Sequence, residues 1–289
     1  MKANIRNTEI YYDIAGSHLR YEKDKLIEKP VLFLVHGGPG GNHLRFKKHS
    51  LALQEYAQLV FIDNRGSGFS KRGKKSEYTM ENNIEDLEAL RIHLGLEKIC
   101  MLGVSYGGMV AQGYAIKYGK HLDKLILVAT TPSFHFIEES KKYLARVGTK
   151  VQIDICNKLL WPGKFRTNKD VRDYAKIMEP LYSHSRKQPI VAIKDANMIF
   201  EPDVINAGFG GFLRTFNFIP KLKKIKCPTL ILSGKNDWIC RPNQSQEMAK
   251  HIPHSKLITF DHCGHAIPND VGDKYLKVVG KFLAERNPI

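Results

Sequence analysis

Three residues far apart in the chain have the chemistry of a nucleophile, an acid and a base. Ser105 lies at the centre of a G-x-S-x-G segment, and Asp237 and His265 follow it in that order. A serine hydroxyl is a poor nucleophile until a base takes its proton, and a third group must orient that base. The pattern therefore predicts a triad in which Ser105 attacks a carbonyl carbon, His265 moves the proton and Asp237 orients the imidazole.

Neighbouring residues leave alternatives for two of these roles. His262 lies three positions before His265, and Asp261 and Asp270 are further carboxylates near the same segment. The G-x-S-x-G pattern is short enough to occur by chance, so the surrounding elements must support the assignment. A nucleophile, an acid and a histidine in this chain order are expected when each follows a strand of one sheet. We therefore favour Asp237 and His265 and keep the other three as alternatives.

A glycine-rich segment after an early apolar run is suited to stabilising negative charge. Residues 36–41 are His-Gly-Gly-Pro-Gly-Gly and follow the apolar Val31–Val35. Acyl transfer develops an oxyanion that needs two backbone N–H donors, one from the residue after the nucleophile and one from an earlier strand-end loop. We predict Tyr106 and Gly38 as these donors.

Short apolar runs alternate with helical patterns and would place the loops above at one edge of a sheet. Continuous apolar runs are typical of strands buried on both faces of a parallel sheet. The predicted strands are residues 10–14, 31–35, 59–62, 99–102, 125–129, 229–233 and 256–260. The alternation predicts an α/β fold with a mostly parallel central sheet and helices on both faces.

The alternation breaks in the middle of the chain. Between residues 133 and 218 the sequence is helical in character and rich in aromatic residues. We interpret this stretch as a helical cap domain inserted into a core domain formed by residues 1–132 and 219–289. Such a cap would cover the carboxyl edge of the sheet, where ligands bind in folds of this class.

A second glycine-containing loop, residues 63–68, follows the predicted strand 59–62. We interpret Asp63 and Arg65 as structural, with Arg65 hydrogen-bonded to Asp63 or to neighbouring carbonyls. His43 is predicted to lie at the surface. The sequence has no metal-ligand spacing such as H-x-x-x-H on a helix, so no metal site is predicted.

The composition is that of a globular protein with a strong excess of positive charge. The chain has 289 residues, of which 43% are hydrophobic and 26% charged. A chain of this length can bury a large core without a disulfide or a metal. The net charge is +16, but the lysines are scattered and are not interleaved with aromatic residues. We interpret them as solvated faces and predict no nucleic-acid partner.

The sequence also bears on location. No apolar run approaches the roughly 20 residues that a membrane helix needs, and the N-terminal residues lack the apolar stretch of a signal peptide. The five cysteines are odd in number and include no C-x-x-C pair, which fits reduced thiols. We therefore predict a cytoplasmic protein without a membrane partner, and the sequence leaves its oligomeric state open.

Five segments together resemble the proline iminopeptidase family of α/β-hydrolases. They are HGGPGG at residues 36–41, DNRGSGFS at residues 63–70, the predicted helix at residues 83–94 with GLEK at residues 95–98, GVSYGG at residues 103–108, and Gly264-His265. The first two in succession are considerably more specific than G-x-S-x-G alone. The resemblance implies the α/β-hydrolase fold with a helical cap. Position by position, it implies the same triad and the same oxyanion donors.

The same resemblance bears on the substrate. The family binds the free N-terminal amine of its substrate with acidic residues of the cap. Residues 195–200 are similar to one such cap segment, which makes Asp195 the candidate substrate-binding residue, whereas residues 212–220 contain no acidic residue. The implied function is a serine hydrolase that cleaves an amide or ester bond of a small molecule or short peptide through an acyl-enzyme, without a cofactor. A carboxylesterase or lactonase, and a non-catalytic ligand-binding relative, are the alternatives.

Overall fold

An eight-stranded sheet forms the centre of the computed structural model, which describes residues 1–185 and 199–285 except the side chains of residues 45 and 46. The strands are β1 (Lys2–Ile5), β2 (Thr8–Ala15), β3 (Leu19–Glu22), β4 (Lys25–Glu28), β5 (Val31–Val35), β6 (Gln58–Ile62), β7 (Ile99–Val104), β8 (Leu122–Val128), β9 (Thr229–Gly234) and β10 (Ser255–Phe260). Their order in the sheet is β1-β2-β6-β5-β7-β8-β9-β10, and β3 pairs with β4 in a separate hairpin. In this order, all neighbouring strands from β6 through β5 to β10 are parallel. Strand β2 pairs antiparallel with β6, and β1 pairs antiparallel with β2.

The mostly parallel sheet with helices on both faces is confirmed, and β5 shows why its strands were predictable. Val31, Phe33 and Val35 belong to the core on one face of the sheet, and Leu32 and Leu34 to the core on the other. Because helices cover both faces, every residue of this strand is buried and the sequence shows an unbroken apolar run. Strands β3 and β4 are exposed throughout, so they carry no such signal and were not predicted.

Helices fill the connections between strands. They are α1 (Leu44–Ser50), α2 (Met80–His93), α3 (Tyr106–Tyr118), α4 (Phe136–Val147), α5 (Lys150–Ile155), α6 (Asn168–Tyr182), α7 (Pro202–Phe209), α8 (Pro242–His251) and α9 (Ile267–Ala284). Local sequence sets the ends of α2. The Thr79 hydroxyl accepts a hydrogen bond from the Asn82 N–H at 3.1 Å, and Gly95 turns the chain with a φ of 67°.

The segment between β8 and β9 leaves the sheet and returns to it at the same point, where its two ends are paired. Ser133 forms an antiparallel bridge with Asn217, and the Phe218 N–H donates to the Pro132 carbonyl at 2.9 Å. Helices α4 to α7 lie between these two points. We propose residues 133–218 as the cap domain and residues 1–132 and 219–289 as the core domain, and this paired stem supports that division.

Candidate active site

Ser105 lies on a tight turn between the end of β7 and the start of α3. Its φ of 54° and ψ of −120° are unusual for a residue with a side chain. The turn requires glycines on both sides. A Cβ added at Gly103 would lie 2.3 Å from the Gly107 carbonyl oxygen, and one added at Gly107 would lie 2.1 Å from the Val35 carbonyl oxygen. The G-x-S-x-G pattern therefore has a steric cause here, and the strained turn presents the serine at the carboxyl edge of the sheet.

Asp237 and His265 are in direct contact. His265 Nδ1 lies 2.8 Å from Asp237 Oδ2, and both residues are buried. The other carboxylate oxygen of Asp237 accepts the N–H groups of Ile239 and Cys240, each at 2.9 Å. Both oxygens of the Asp237 carboxylate are thus hydrogen-bonded, and Oδ2 fixes the imidazole through its Nδ1. This arrangement leaves His265 Nε2 as the nitrogen that can accept a proton.

The three sequence alternatives have other partners. Asp261 is exposed and pairs with Lys235 at 2.8 Å. Asp270 accepts hydrogen bonds from a serine hydroxyl and from backbone N–H groups. His262 is exposed and its ring lies tilted against that of His184, with 5.4 Å between ring centroids. None of these contacts forms an acid–base pair like that of Asp237 and His265.

The nucleophile, acid and base follow β7, β9 and β10, which are parallel and separated in the sheet only by β8. Their loops therefore emerge at the same edge. The loop after β10 packs on the end of β9, since a Cβ added at Gly234 would lie 2.1 Å from the Gly264 carbonyl oxygen. Within the described part of the chain no hydrogen bond joins Ser105 Oγ to His265. The complete triad remains a proposal, and catalytic hydrogen bonds of this kind often tighten only when substrate binds.

The glycine-rich loop after β5 lies against the serine. A Cβ added at Gly37 would be 3.1 Å from Ser105 Cβ and 3.8 Å from Ser105 Oγ. His36 orders this loop, because its Nδ1 lies 2.7 Å from the Gly37 carbonyl oxygen and its Nε2 accepts the Asn64 N–H at 3.1 Å. A carbonyl only accepts, so Nδ1 carries the proton and the ring is neutral. Burial lowers the pKa of His36, in keeping with that neutral ring.

This hydrogen bond orients the predicted oxyanion donor. The Gly37 carbonyl and the Gly38 N–H belong to one trans peptide unit and point in opposite directions. Fixing the carbonyl with His36 therefore fixes the direction of the Gly38 N–H. The role of Gly38 as an oxyanion donor stays a prediction.

Thr130 acts in the same way on the second predicted donor and was not identified from the sequence. Its hydroxyl donates to the Ser105 carbonyl at 2.7 Å. The Ser105 carbonyl and the Tyr106 N–H share a peptide unit, so this bond orients the Tyr106 N–H. The only available sequence signal was that Thr130 follows the predicted strand 125–129, at the same edge of the sheet.

Two interpretations of the neighbouring loop need correction. Arg65 does not bind Asp63, and the backbone carbonyl to which it donates is that of Arg6, at 3.4 Å. The Arg65 guanidinium makes a two-point ion pair with Asp86 of α2, at 2.6 and 2.8 Å. His43 is buried, not at the surface, and donates both its backbone N–H and its ring Nδ1–H to Asp63. Burial raises the pKa of Asp63, but hydrogen bonds from the His43 ring and from the Phe69 N–H outweigh it, so the net pKa is lowered.

Aromatic rings surround the acid and the base. The ring of Tyr182 meets that of His265 edge-on with 5.5 Å between centroids, and it meets Trp238 at the same distance. Trp161 of the proposed cap lies 6.2 Å from Trp238. These rings contribute to the burial of the Asp237–His265 pair, and burial strengthens electrostatic interactions there.

Cys240 is the other polar neighbour of the pair. The ligand atoms of Asp237, Cys240 and His265 lie within 4.8 Å of one another. A cation held by all three would have to break the hydrogen bond between Asp237 and His265. Burial raises the pKa of the Cys240 thiol, which disfavours the thiolate that a metal requires. We therefore interpret Cys240 as a packing residue behind the acid–base pair.

The predicted substrate-binding residue Asp195 lies outside the described residues, so its role stays a prediction. A described carboxylate of the cap, Glu201, is near the glycine-rich loop, since its N–H donates to the Gly40 carbonyl at 3.0 Å. Its side chain is engaged by Arg72 at 2.6 Å. In the described ranges, no helix has the length and apolarity needed to cross a bilayer.

The sheet order, the strained serine turn and the paired acid and base define the class as α/β-hydrolase. The sequence profile of the alpha/beta hydrolase fold matches residues 30–268. The proline iminopeptidase PfmaB of Pestalotiopsis fici is 31% identical over 279 residues, which are 94% of this chain and 98% of that protein. The chain therefore belongs to the α/β-hydrolase family and is a proline iminopeptidase-like serine hydrolase.

Solved structures agree with this fold. A proline iminopeptidase from Mycobacterium smegmatis superposes with a TM-score of 0.79 at 20% identity, over 99% of this chain and 98% of that one. A thermophilic esterase from Thermogutta terrifontis superposes with a TM-score of 0.73 at 26% identity, over 99% and 98% of the two chains. The protein is an enzyme of the hydrolase class, and the alternative of a non-catalytic relative is set aside.

Proposed function

We propose that this protein is an aminopeptidase that releases an N-terminal residue, proline among them, from a short peptide through an acyl-enzyme. The observation that carries the proposal is the 2.8 Å contact between His265 and the buried Asp237, at the sheet edge where Ser105 occupies a strained turn. The choice of a peptide substrate is supported by the likeness to the proline iminopeptidase of P. fici over nearly the whole of both chains.

The first half of the reaction forms the acyl-enzyme. Ser105 Oγ attacks the substrate carbonyl carbon while its proton moves to His265 Nε2, and Asp237 stabilises the resulting imidazolium. The N–H groups of Gly38 and Tyr106 bind the oxyanion. The imidazolium then protonates the leaving amine as the carbon–nitrogen bond breaks.

The second half releases the acid. Water gives a proton to His265 as it attacks the ester carbon, and a second oxyanion forms between the same donors. The imidazolium returns its proton to Ser105 Oγ as the carbon–oxygen bond breaks, which restores the free enzyme. Every step uses groups of this chain and water.

Covalent labelling tests the nucleophile. We expect a fluorophosphonate to label the wild-type protein once per chain, and Ser105→Ala to abolish labelling and lower hydrolysis by about 10⁴-fold or more. Proline p-nitroanilide tests the peptidase activity, and its N-acetyl derivative is the matched control because it lacks the charged amine. Unchanged labelling in Ser105→Ala contradicts the triad, and equal cleavage of the two anilides contradicts the aminopeptidase.

Ester hydrolysis is a second candidate, favoured by the aromatic rings around His265 and by the likeness to the T. terrifontis esterase. The same triad would cleave an ester, since only the leaving atom differs. p-Nitrophenyl butyrate separates the two functions. Strong turnover of this ester without cleavage of proline p-nitroanilide would replace the aminopeptidase by a carboxylesterase.

A further inference from the structure

Asp270 lies in the first turn of α9 and accepts four hydrogen bonds. Its Oδ1 accepts the Ser183 hydroxyl and the Ser185 N–H, the latter at 2.9 Å. Its Oδ2 accepts the His184 N–H at 2.9 Å and the Gly264 N–H at 2.7 Å. Each carboxylate oxygen therefore accepts hydrogen bonds from two donors, and the side chain joins two separate stretches of the chain.

These two stretches belong to different parts of the molecule. Residues 183–185 directly follow α6 of the proposed cap, and Gly264 directly precedes the proposed base. The two stretches also make a hydrogen bond that does not involve Asp270, since the Ala266 N–H donates to the Tyr182 carbonyl at 2.8 Å. A Cβ added at Gly264 would lie 2.7 Å from that same carbonyl oxygen.

His265 thus lies between two residues whose backbones are both tied down. The Gly264 N–H is held by Asp270, and the Ala266 N–H is held by Tyr182 of the cap. The ring of Tyr182 also packs edge-on against the imidazole. The position of the base therefore depends on the end of α6 as well as on its own loop.

The charge of Asp270 suits this role. Burial raises the pKa of its carboxyl, but the hydrogen bonds from Gly264, Ser183, His184 and Ser185 outweigh burial and lower the net pKa. The group is therefore a carboxylate at neutral pH. Hydrogen bonds to a charged acceptor are stronger and more directional than neutral ones.

We propose that Asp270 is a positioning residue that fastens the His265 loop to the cap and so aligns the imidazole with Ser105. It touches neither the substrate nor the reacting atoms in the scheme above, and it acts through Gly264. The inference rests on the proposed function, since it assigns His265 as the base. It predicts that loosening the cap end of α6 slows chemistry and does not merely weaken binding.

The test compares Asp270→Asn with the wild type by fluorophosphonate labelling over a range of reagent concentrations. Asparagine replaces one acceptor oxygen by a donor NH₂, so it cannot accept from two of the four partners. A shift of the base of about 1 Å is enough to lower a rate by on the order of 100-fold. We expect the maximal labelling rate to fall about 10- to 100-fold while the half-saturating concentration stays near the wild-type value.

Two further variants make the comparison specific. Asp261→Asn is the matched control, because Asp261 precedes the same loop but is exposed and pairs with Lys235. It should label at the wild-type rate. Ser183→Ala removes a donor on the cap side only, and its effect should largely disappear when combined with Asp270→Asn, because the contact it removes is already weakened.

Each outcome decides the question. A folded Asp270→Asn with the wild-type labelling rate overturns the positioning role and leaves the proposed function intact. An equal loss in Asp261→Asn overturns it too. If Asp270→Asn does not fold, folded Ser183→Ala replaces it, and an unchanged rate in that variant is contrary to the proposal. If the wild type itself is not labelled at Ser105, the proposed function fails, and the role of Asp270 fails with it.

Discussion

Each proposed oxyanion donor is oriented by a hydrogen bond that one side chain makes to the carbonyl of the same peptide unit. His36 holds the carbonyl of the peptide unit that contains the Gly38 N–H, and Thr130 holds the carbonyl of the unit that contains the Tyr106 N–H. Donors that are already oriented need no reorganisation when charge develops, and this is the main source of their effect on rate. Two residues that touch no reacting atom therefore contribute to the electrostatics of the site.

Replacement of Thr130 tests this role. Thr130→Val keeps the shape of the side chain but removes the hydroxyl that donates to the Ser105 carbonyl. We expect kcat to fall about 10-fold, less than the loss of a donor itself, with KM nearly unchanged. Thr130→Ser retains the hydroxyl and should recover most of the rate. Equal rates in the valine and serine variants would show that the hydroxyl does not orient the donor.

The neutral ring of His36 predicts a pH dependence of stability. The unfolded chain has the ordinary histidine pKa of 6.5, whereas burial lowers the pKa of His36 in the folded protein. Below pH 6.5 the unfolded state binds a proton that the folded state does not. The free energy of unfolding should therefore fall with decreasing pH, by up to about 1.4 kcal/mol per pH unit from this group, until the lowered folded pKa is reached.

Urea unfolding of the wild type and of His36→Gln between pH 5 and pH 7.5 measures this effect. The variant should be less stable at neutral pH, because it loses the two hydrogen bonds of the ring, but its stability should fall less steeply toward pH 5. His254→Gln, which removes an exposed imidazole, is the control. A slope in His36→Gln equal to that of the wild type would contradict a buried neutral His36.

Among the elements, the turn from β7 to α3 leaves no room for side chains at its glycines. A Cβ on Gly107 would lie 2.1 Å from the carbonyl oxygen of Val35 and 2.6 Å from that of His36, and backbone atoms of a buried strand have little freedom to move. The close approach brings the serine turn beside the glycine-rich loop. The glycine at position 107 is thus required by the close packing of this turn against the end of β5.

Gly107→Ala tests the turn against a glycine in open space. We expect this variant to lose about 3 kcal/mol of unfolding free energy or to misfold, because the methyl group overlaps backbone atoms. Gly272→Ala in α9 has no atom within 4 Å of the added carbon. Because Gly272 follows the non-helical Val271 at a kink in α9, we expect its replacement to change the free energy of unfolding by no more than about 0.5 kcal/mol. Thermal unfolding of the two variants measures both effects, and similar stabilities would rule out the steric explanation.

For the whole molecule, polar contacts connect the proposed cap to the core on both sides of the site. On one side Asp270 binds residues 183–185. On the other, Arg72 donates to Glu201 at 2.6 Å and to the carbonyls of Gly68 and Ser70 at 2.9 and 2.7 Å. The cap is therefore joined by charged side chains to loops that follow the strands of the sheet.

The Arg72 contact predicts a dependence of substrate binding on salt. Arg72→Ala should raise KM about two- to fivefold, because a partly exposed ion pair contributes up to about 1 kcal/mol. High salt screens such a pair, so the wild-type KM should rise toward that of the variant at 0.5 M salt while the variant changes little. Lys169→Ala, which breaks an ion pair within α6, is the control. A salt response that persists in Arg72→Ala would assign it to other charges.

The parallel strands of the sheet and the candidate residues of the site could be predicted from the sequence alone. Strands such as β5 and β9 are buried on both faces, so their composition reports their position directly. The glycines around Ser105 report a steric requirement of the turn. These signals are readable because each arises from forces that act on neighbouring residues or on a whole face of an element.

Three-dimensional packing was needed to choose between side chains that compete for one partner. Asp237 and Asp261 lie on loops at the same edge and Asp270 lies in the first turn of α9, and the sequence alone favoured Asp237 without excluding the others. The path of each loop then brought Asp237 to His265 and Asp270 to the cap. The path of its loop likewise brought Arg65 to Asp86 of α2. A hydrogen bond needs placement within a few tenths of an ångström, and such placement depends on the packing of the whole chain and not on local pattern.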